Sequence, residues 1–381
     1  MEEHSSKIEK GQGLTNFESL SNLTTVQLAD EAIALLKKLI AIPSFSKEES
    51  GTADLLRNFL ESKGISTKRK LNNVWAQNLL FDSSKPTLLL NSHHDTVKPN
   101  SAYTLNPFEP IETDGKLFGL GSNDAGGCLV SLLSVFRHYY SQEDLPFNLI
   151  FAATAEEEVS GSNGIEAILN ELGEISLAIV GEPTKMNLAI AEKGLLVLDC
   201  IAHGKPGHTA RDEGDNAIYK AMRDIEWFKT FQFPKTSEML GAAKMNVTVI
   251  KAGTQHNVVP GACEFVVDIR LNEKYSHEEI LSVIKENVQC EIKPRSFRIK
   301  PSSISPEHPI VKAAENIGLK TFGSPTTSDQ ALMNFPSVKI GPGDSARSHI
   351  ADEFIYVEEI GQGIEVYIRL IENYASLTQS K

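Results

Sequence analysis

The sequence predicts an α/β fold: a mainly parallel sheet flanked by helices, with an inserted ferredoxin-like βαββαβ domain. Three observations predict it. Short runs rich in Leu, Val and Ile alternate with helical segments, as the strands of a covered parallel sheet do. Between about Gly194 and Ile299 that rhythm changes, while residues of one chemical type lie on both sides of the block. At 381 residues the chain also exceeds what one hydrophobic core usually supports, so two domains are expected.

Residues 1–22 are polar and weakly patterned and read as a loose tail. Val26, Leu28, Ile33, Leu36 and Ile40 then recur at helical spacing until Pro43 breaks the helix. A second helix is expected from about Ser50 to Lys63, closed by Gly64. Strands are expected at Thr87–Leu90, Leu149–Ala153, Leu177–Val180 and Val338–Ile340, each bounded by turn residues. Asp124, in the glycine-rich stretch Gly119–Gly127, precedes an apolar helix starting near Cys128. The middle block reads strand Leu195–Ala202, helix Asp215–Phe231, strands Met245–Ala252 and Cys263–Leu271, helix His277–Val288 and a last strand. The division expected is 23–193 with 300–381 as one domain and 194–299 as an insert, without internal repeats.

Composition narrows the function. With 41% apolar and 23% charged residues the chain is an ordinary globular protein, and a net charge of -13 leaves no basic stripe for a nucleic-acid backbone. Cys128, Cys200, Cys263 and Cys290 are widely spaced without CxxC pairs, which reads as reduced thiols in a cytoplasmic protein. The start Met1-Glu2-Glu3-His4 lacks the basic region and apolar core of a signal peptide, and no apolar run has membrane-spanning length.

Ligands of open α/β sheets bind beyond the carboxyl ends of the strands. His93 and Asp95 follow Leu90; Glu156, Glu157 and Glu158 follow Ala153; Glu182 follows Val180; Gly341-Pro342-Gly343 and then His349 follow Ile340. Singly, each has an ordinary structural explanation: a turn, a helix start favoured by acids, an N-cap at Asp124. Together, two His and three or four carboxylates converge on one sheet edge. Nitrogen and carboxylate donors without thiolate suit zinc, cobalt or manganese in a catalytic site better than structural zinc.

These segments make a resemblance specific. Ser92-His93-His94-Asp95-Thr96-Val97, Gly119–Gly127, Thr154-Ala155-Glu156-Glu157-Glu158, Gly181-Glu182-Pro183-Thr184 and Arg347–Glu353 with His349 resemble the aminoacylase, carboxypeptidase-G and acetylornithine deacetylase family of co-catalytic zinc hydrolases. The resemblance implies a zinc-exopeptidase-type fold and two divalent metal ions, zinc first and Co2+ or Mn2+ as alternatives. His93 and Glu182 would bind one ion, Glu158 and His349 the other, with Asp124 bridging. Asp95 would hold the His93 imidazole, and Glu157 would be the general base that takes a proton from water and returns it to the leaving amine. Glu156 stands where the family usually has Asp, and His94 is the variable middle residue of its motif.

The inserted block carries family marks in Gly204-Lys205-Pro206-Gly207-His208-Thr209-Ala210 and Asn257-Val258-Val259-Pro260. They imply a dimerisation domain in a homodimer, with His208 reaching the partner subunit's site to stabilise an oxyanion. Arg270 would grip a substrate carboxylate, and Asn257 and Gly343 would add substrate contacts.

Many relatives have Arg between the glycines before the bridging Asp and Met-Lys after it; here Leu120 and Ala125-Gly126 stand there. This version resembles the acetylornithine deacetylase-like branch of arginine biosynthesis. The expected reaction is hydrolysis of an N-acetyl- or N-succinyl-ornithine or citrulline to free amino acid and carboxylate. A metallo-dipeptidase, an aminopeptidase or a succinyl-diaminopimelate desuccinylase-type enzyme on the same centre is the alternative. Neither nucleic acid nor membrane is an expected partner.

Overall fold

The structure is a computed structural model that describes residues 23–211 and 213–379; the tail expected at residues 1–22 lies outside them. The chain divides into two compact units. One comprises residues up to Leu188 with Glu307–Lys320 and Lys339–Lys381, the other Ala189–Pro306 and Thr321–Val338.

In the first unit, α1 (Thr25–Ile40) starts at a capping box in which Thr24 accepts from the Gln27 N–H and Gln27 reaches back to the Thr24 N–H. It buries Leu28, Leu35, Leu36 and Leu39, one stripe at helical spacing. α2 (Ser50–Ser62) ends before Gly64, whose φ of 76° suits the left-handed turn that glycine adopts without strain. The strands of this unit include β1 (Lys68–Lys70), β2 (Asn73–Gln77), β3 (Thr87–His93), β4 (Ile111–Thr113), β5 (Lys116–Phe118), β6 (Asn148–Thr154) and β7 (Leu177–Val180). Five of them lie in the order β1-β2-β6-β3-β7, with β3 parallel to both β6 and β7.

Every residue of β3, β6 and β7 is buried, which is why they read as unbroken apolar runs. The antiparallel pair β1 and β2 extends the sheet and carried no such signal, because β1 is an exposed Lys-Arg-Lys edge. α3 (Gly127–Tyr139), buried along nearly its whole length, packs against α1 and the helix Val357–Gln379. A shorter helix, α4 (Ile165–Leu172), precedes β7. The parallel core strands and the flanking helices are the α/β architecture expected.

In the second unit, strands Gly194–His203, Lys244–Ala252, Ala262–Leu271 and Glu291–Pro294 form an antiparallel sheet with helices Ala217–Thr230 and His277–Asn287. Its order places Lys244–Ala252 at one edge, then Ala262–Leu271, Gly194–His203 and Glu291–Pro294, the ferredoxin-like arrangement of a βαββαβ chain. Gly194–His203 alternates buried and part-exposed residues; Leu196, Leu198 and Cys200 join Phe228, Phe265, Ile280 and Ile284 in the core. All four cysteines are free and buried. Among the described residues no helix is long and apolar enough to cross a membrane.

Candidate metal centre

Three parallel strands deliver their acidic loops to one end of the first unit. His93 is the last residue of β3, Glu157 and Glu158 form a short 3-10 turn after β6, and Glu182 follows β7 by two residues. Asp124 comes from an irregular turn, Ser122–Gly126, that leads into α3 and contains a cis peptide after Asp124. His349 follows a 3-10 turn, Ser345–Arg347, with φ of 60°.

The structure brings these side chains together. His93 Nε2 lies 3.4 Å from Asp124 Oδ1, 3.8 Å from Glu182 Oε1 and 3.9 Å from Glu157 Oε2. His349 Nε2 lies 3.0 and 3.2 Å from the two Glu158 oxygens and 3.5 Å from Asp124 Oδ2. Asp124 thus turns one oxygen to each histidine. Two overlapping donor groups, His93/Asp124/Glu158 and His93/Glu157/Glu182, are compact enough to hold a cation. All are nearly buried except His349, whose side chain is 53% exposed.

The electrostatics ask for positive charge. His93 Nδ1 lies 3.0 Å from the Asp95 carbonyl, which only accepts, so Nδ1 carries a proton. Nε2 is buried without a hydrogen-bond partner and is ringed by carboxylate oxygens. Although burial opposes it, the facing Asp124 and Asp95 carboxylates and the charges of Glu157 and Glu182 raise the His93 pKa well above its ordinary value. Burial, aided by Asp124, pushes Glu182 up to about 8; the Glu158 hydrogen bond lifts His349 to about 9. In the metal-free protein the raised pKa values of His93 and His349 keep positive charge beside Asp124, Glu157, Glu158 and Glu182, a role that bound cations would take over as the two imidazoles give up their protons. The donor set fits a pair of oxygen- and nitrogen-preferring metal ions. Cys128, the nearest thiol to this wall, instead donates to the Pro342 carbonyl at 3.2 Å, and burial raises its pKa well above normal.

Asp95 does more than face His93. Its Oδ1 lies 3.4 Å from His93 Nδ1, while the carboxylate accepts from Ser46 Oγ at 2.7 Å and from the backbone N–H groups of Glu157 and Glu158 at 3.1 and 3.2 Å. It therefore ties the β3 loop to the turn after β6. Burial raises its pKa, but the His93 and Ser46 hydrogen bonds outweigh that and hold it below the usual range. Glu156, at φ of 55°, sends its carboxylate to Asn163 Nδ2 at 2.9 Å. His94 turns away: Nε2 donates to the Asn72 carbonyl at 2.9 Å and Nδ1 accepts from Thr52 Oγ1 at 2.8 Å.

Three further residues organise this centre and carried no assignment from sequence. Glu353 accepts the N–H groups of Gly121, Asn123 and Asp124. Asn123 brackets Asp344, its Oδ1 accepting from the Asp344 N–H at 3.0 Å and its Nδ2 donating to the carbonyl at 3.1 Å. Buried Glu49 accepts the Glu156 N–H at 3.2 Å. Glu353 ends the Arg347–Glu353 motif and Asn123 adjoins Asp124, which was the only available signal. Gly343 has φ of 90°, and a Cβ there would stand 2.6 Å from Asn123 Oδ1, so this position requires glycine for close approach to the Asp124 loop.

Within the second unit, Gly207-His208 pairs with Val258-Val259, and the Thr209 N–H donates to the Asn257 carbonyl at 3.2 Å, so His208 and Asn257 are neighbours on an exposed ladder. Arg270 is already engaged. Its Nε and Nη2 donate to the two carboxylate oxygens of Asp268 at 2.9 and 3.1 Å.

Residues 89–373 match the model of peptidase family M20/M25/M40. Over 91% of its length the chain is 25% identical to a succinyl-diaminopimelate desuccinylase of Wolbachia pipientis, covering 94% of that protein. Its fold is similar to an aminopeptidase of Bacillus cereus (TM-score 0.74, 20% identity, 93% of this chain and 99% of that one). It is also similar to a dinuclear metal-binding peptidase of Bacillus subtilis (TM-score 0.68, 16% identity, 90% and 97%). The match over most of the chain, at the residues that gather His93, Asp124, Glu157, Glu158, Glu182 and His349, makes the protein a member of peptidase family M20/M25/M40 and a metal-dependent hydrolase.

Proposed function

We propose that the chain hydrolyses the amide bond of an N-acyl L-amino acid, of the N-acetyl- or N-succinyl-ornithine or citrulline type, to a carboxylate and a free amino acid. The observation that carries amide hydrolysis is Asp124, with one oxygen toward His93 and the other toward His349. His93 and Glu182 would hold one divalent ion, Glu158 and His349 a second, and Asp124 both; zinc is our first choice, cobalt or manganese the alternatives. Such ions supply Lewis acidity and ease deprotonation of water.

The chain's own part begins with Asp95, which fixes the N–H groups of both Glu157 and Glu158, while Glu158 turns to His349 and Glu157 to His93. Glu157 accepts a proton from water, whose oxygen adds to the substrate carbonyl carbon. As the C–N bond breaks, Glu157 returns that proton to the leaving nitrogen. His208 would stabilise the oxyanion from a partner subunit. Arg270, Asn257 and Gly343 would contact substrate, Arg270 by sharing or exchanging its Asp268 pairing for a substrate carboxylate.

An acyl substrate is favoured over a peptide with a free ammonium group because Asp95 is engaged by three donors and Glu353 by three N–H groups, while Asp124, Glu157, Glu158 and Glu182 would be taken up by the two ions and the attacking water. The Wolbachia relative, a desuccinylase by name, favours the N-succinyl class. The second reading is a dipeptidase or an aminopeptidase, the latter being what the Bacillus cereus neighbour is named. Turnover of N-acetyl- and N-succinyl-ornithine and citrulline compared with di- and tripeptides separates them. Release of amine from peptides alone overturns the acyl assignment.

A homodimer is part of the same proposal. Lys244–Ala252 is an edge strand exposing Val249 and Ile250, an unpaired ladder beside apolar side chains. The free, buried thiols fit the cytoplasmic location we propose.

A further inference from the structure

The loop that carries Asp124 has an unusual support. Between Gly121 and Gly126 the backbone follows no regular helix, since Gly121 has φ of 75° and Asp124 and Ala125 depart from helical angles. Its N–H groups cannot all find partners within the turn, yet several are buried, and a buried N–H without an acceptor is costly. A single carboxylate supplies the acceptors. Glu353 is 2% exposed; one of its oxygens accepts from the Asn123 and Asp124 N–H groups, both at 2.8 Å, and the other from the Gly121 N–H at 2.9 Å. Hydrogen bonds to a carboxylate are about twice as strong as neutral ones. The Glu353 carbonyl also accepts from the Gly119 N–H at 3.0 Å, so the same residue grips the loop at both its start and its centre.

The geometry has a direction. His349 lies four residues before Glu353 on one segment, and that segment is pinned from its other side: Asp352 accepts from the Thr104 and Leu105 N–H groups at 2.9 Å, and Asn100 Nδ2 donates to the His349 carbonyl at 3.2 Å. With the segment fixed, the carboxylate of Glu353 sets where the Asp124 loop sits, and with it the 3.5 Å approach of Asp124 Oδ2 to His349 Nε2. Asp95 does the matching task for the Glu157-Glu158 turn. The Asp124 loop and the Glu157-Glu158 turn are therefore each held from behind by a carboxylate that collects backbone N–H groups.

We propose that Glu353 is a positioning residue of the metal centre, locking the Asp124 carboxylate to His349 by gathering the N–H groups of Gly121, Asn123 and Asp124. The inference rests on the reading of Asp124 as a bridging metal ligand. In Glu353→Gln one oxygen becomes an NH2 group that faces at least one backbone N–H, so the lock opens without a change of volume. Glu353→Asp keeps the charge on a shorter arm.

Hydrogen–deuterium exchange of the metal-free proteins, zinc titration and steady-state kinetics test it together. In Glu353→Gln, exchange of the 119–127 segment rises about tenfold while α1 and β6 keep wild-type protection. Zinc binding at one site weakens about tenfold or more, kcat falls by a similar factor, and KM stays within about twofold. Glu353→Asp falls between the two. Wild-type exchange at 119–127 with two tightly held zinc ions in Glu353→Gln overturns the proposal. So does a general rise in exchange with zinc affinity intact, or failure of both variants to fold, since each makes Glu353 a structural residue only. If wild-type protein binds no zinc, the functional reading fails instead, and the exchange of 119–127 still judges the lock.

Discussion

His94, the one histidine of its motif that turns away from the centre, should impose a pH dependence on stability that His94→Gln removes. It is 6% exposed between Thr52 Oγ1 and the Asn72 carbonyl, and burial pushes its pKa from 6.5 down to about 4. The folded protein thus resists a proton that the unfolded chain takes up near 6.5. Stability from the neutral imidazole is complete above that value and is lost as pH falls toward about 4. At 1.36 kcal/mol per pH unit, a gap of about 2.5 units makes the loss about 3 kcal/mol. The introduced glutamine keeps a donor for Asn72 and an acceptor for Thr52, so the variant costs about 1 kcal/mol at neutral pH but titrates no longer. Urea unfolding of metal-free protein, followed by Trp75 fluorescence in a Trp227→Phe background, reads the first unit alone. Between pH 7.5 and 4.5 the wild type should lose about 2–3 kcal/mol more than the variant. Parallel losses in the two proteins would refute the reasoning.

Two further outcomes follow from the site and from the edge strand. Glu157→Gln should keep its metal ions while kcat falls about 10²–10⁴-fold, and a rate within tenfold of wild type removes Glu157 as the base. Ile250→Lys, which sets a charge on the exposed edge strand, should convert a dimer to monomers in sedimentation velocity with the fold intact; an unchanged dimer moves the interface elsewhere.

What could be read in advance tracks how local each signal is. β3, β6 and β7 are buried on both faces and so announce themselves as apolar runs. β1 and β2 hid because a Lys-Arg-Lys edge and a five-residue strand look like loop. His93, Glu157, Glu158 and Glu182 were legible because each ends a core strand or follows one within four residues, whereas Asp124 and His349 were legible through the motif segments around them. Their supports were not. Glu353 serves backbone N–H groups 229–232 residues away, and Asp95 those of a turn 62–63 residues on, and a side chain's sequence neighbours do not reveal a backbone acceptor at that range. Arg270 is the opposite case: Asp268, two residues earlier on the same strand face, was a visible partner.

The central claim is a two-metal centre bridged by Asp124, and metal stoichiometry tests it most directly. Chelator-stripped protein titrated with zinc should take up two ions per chain, and Asp124→Asn, with one bridging charge removed, should hold no more than one at the same free zinc. Wild-type protein that binds fewer than two ions, or Asp124→Asn that keeps both with undiminished affinity, contradicts the account.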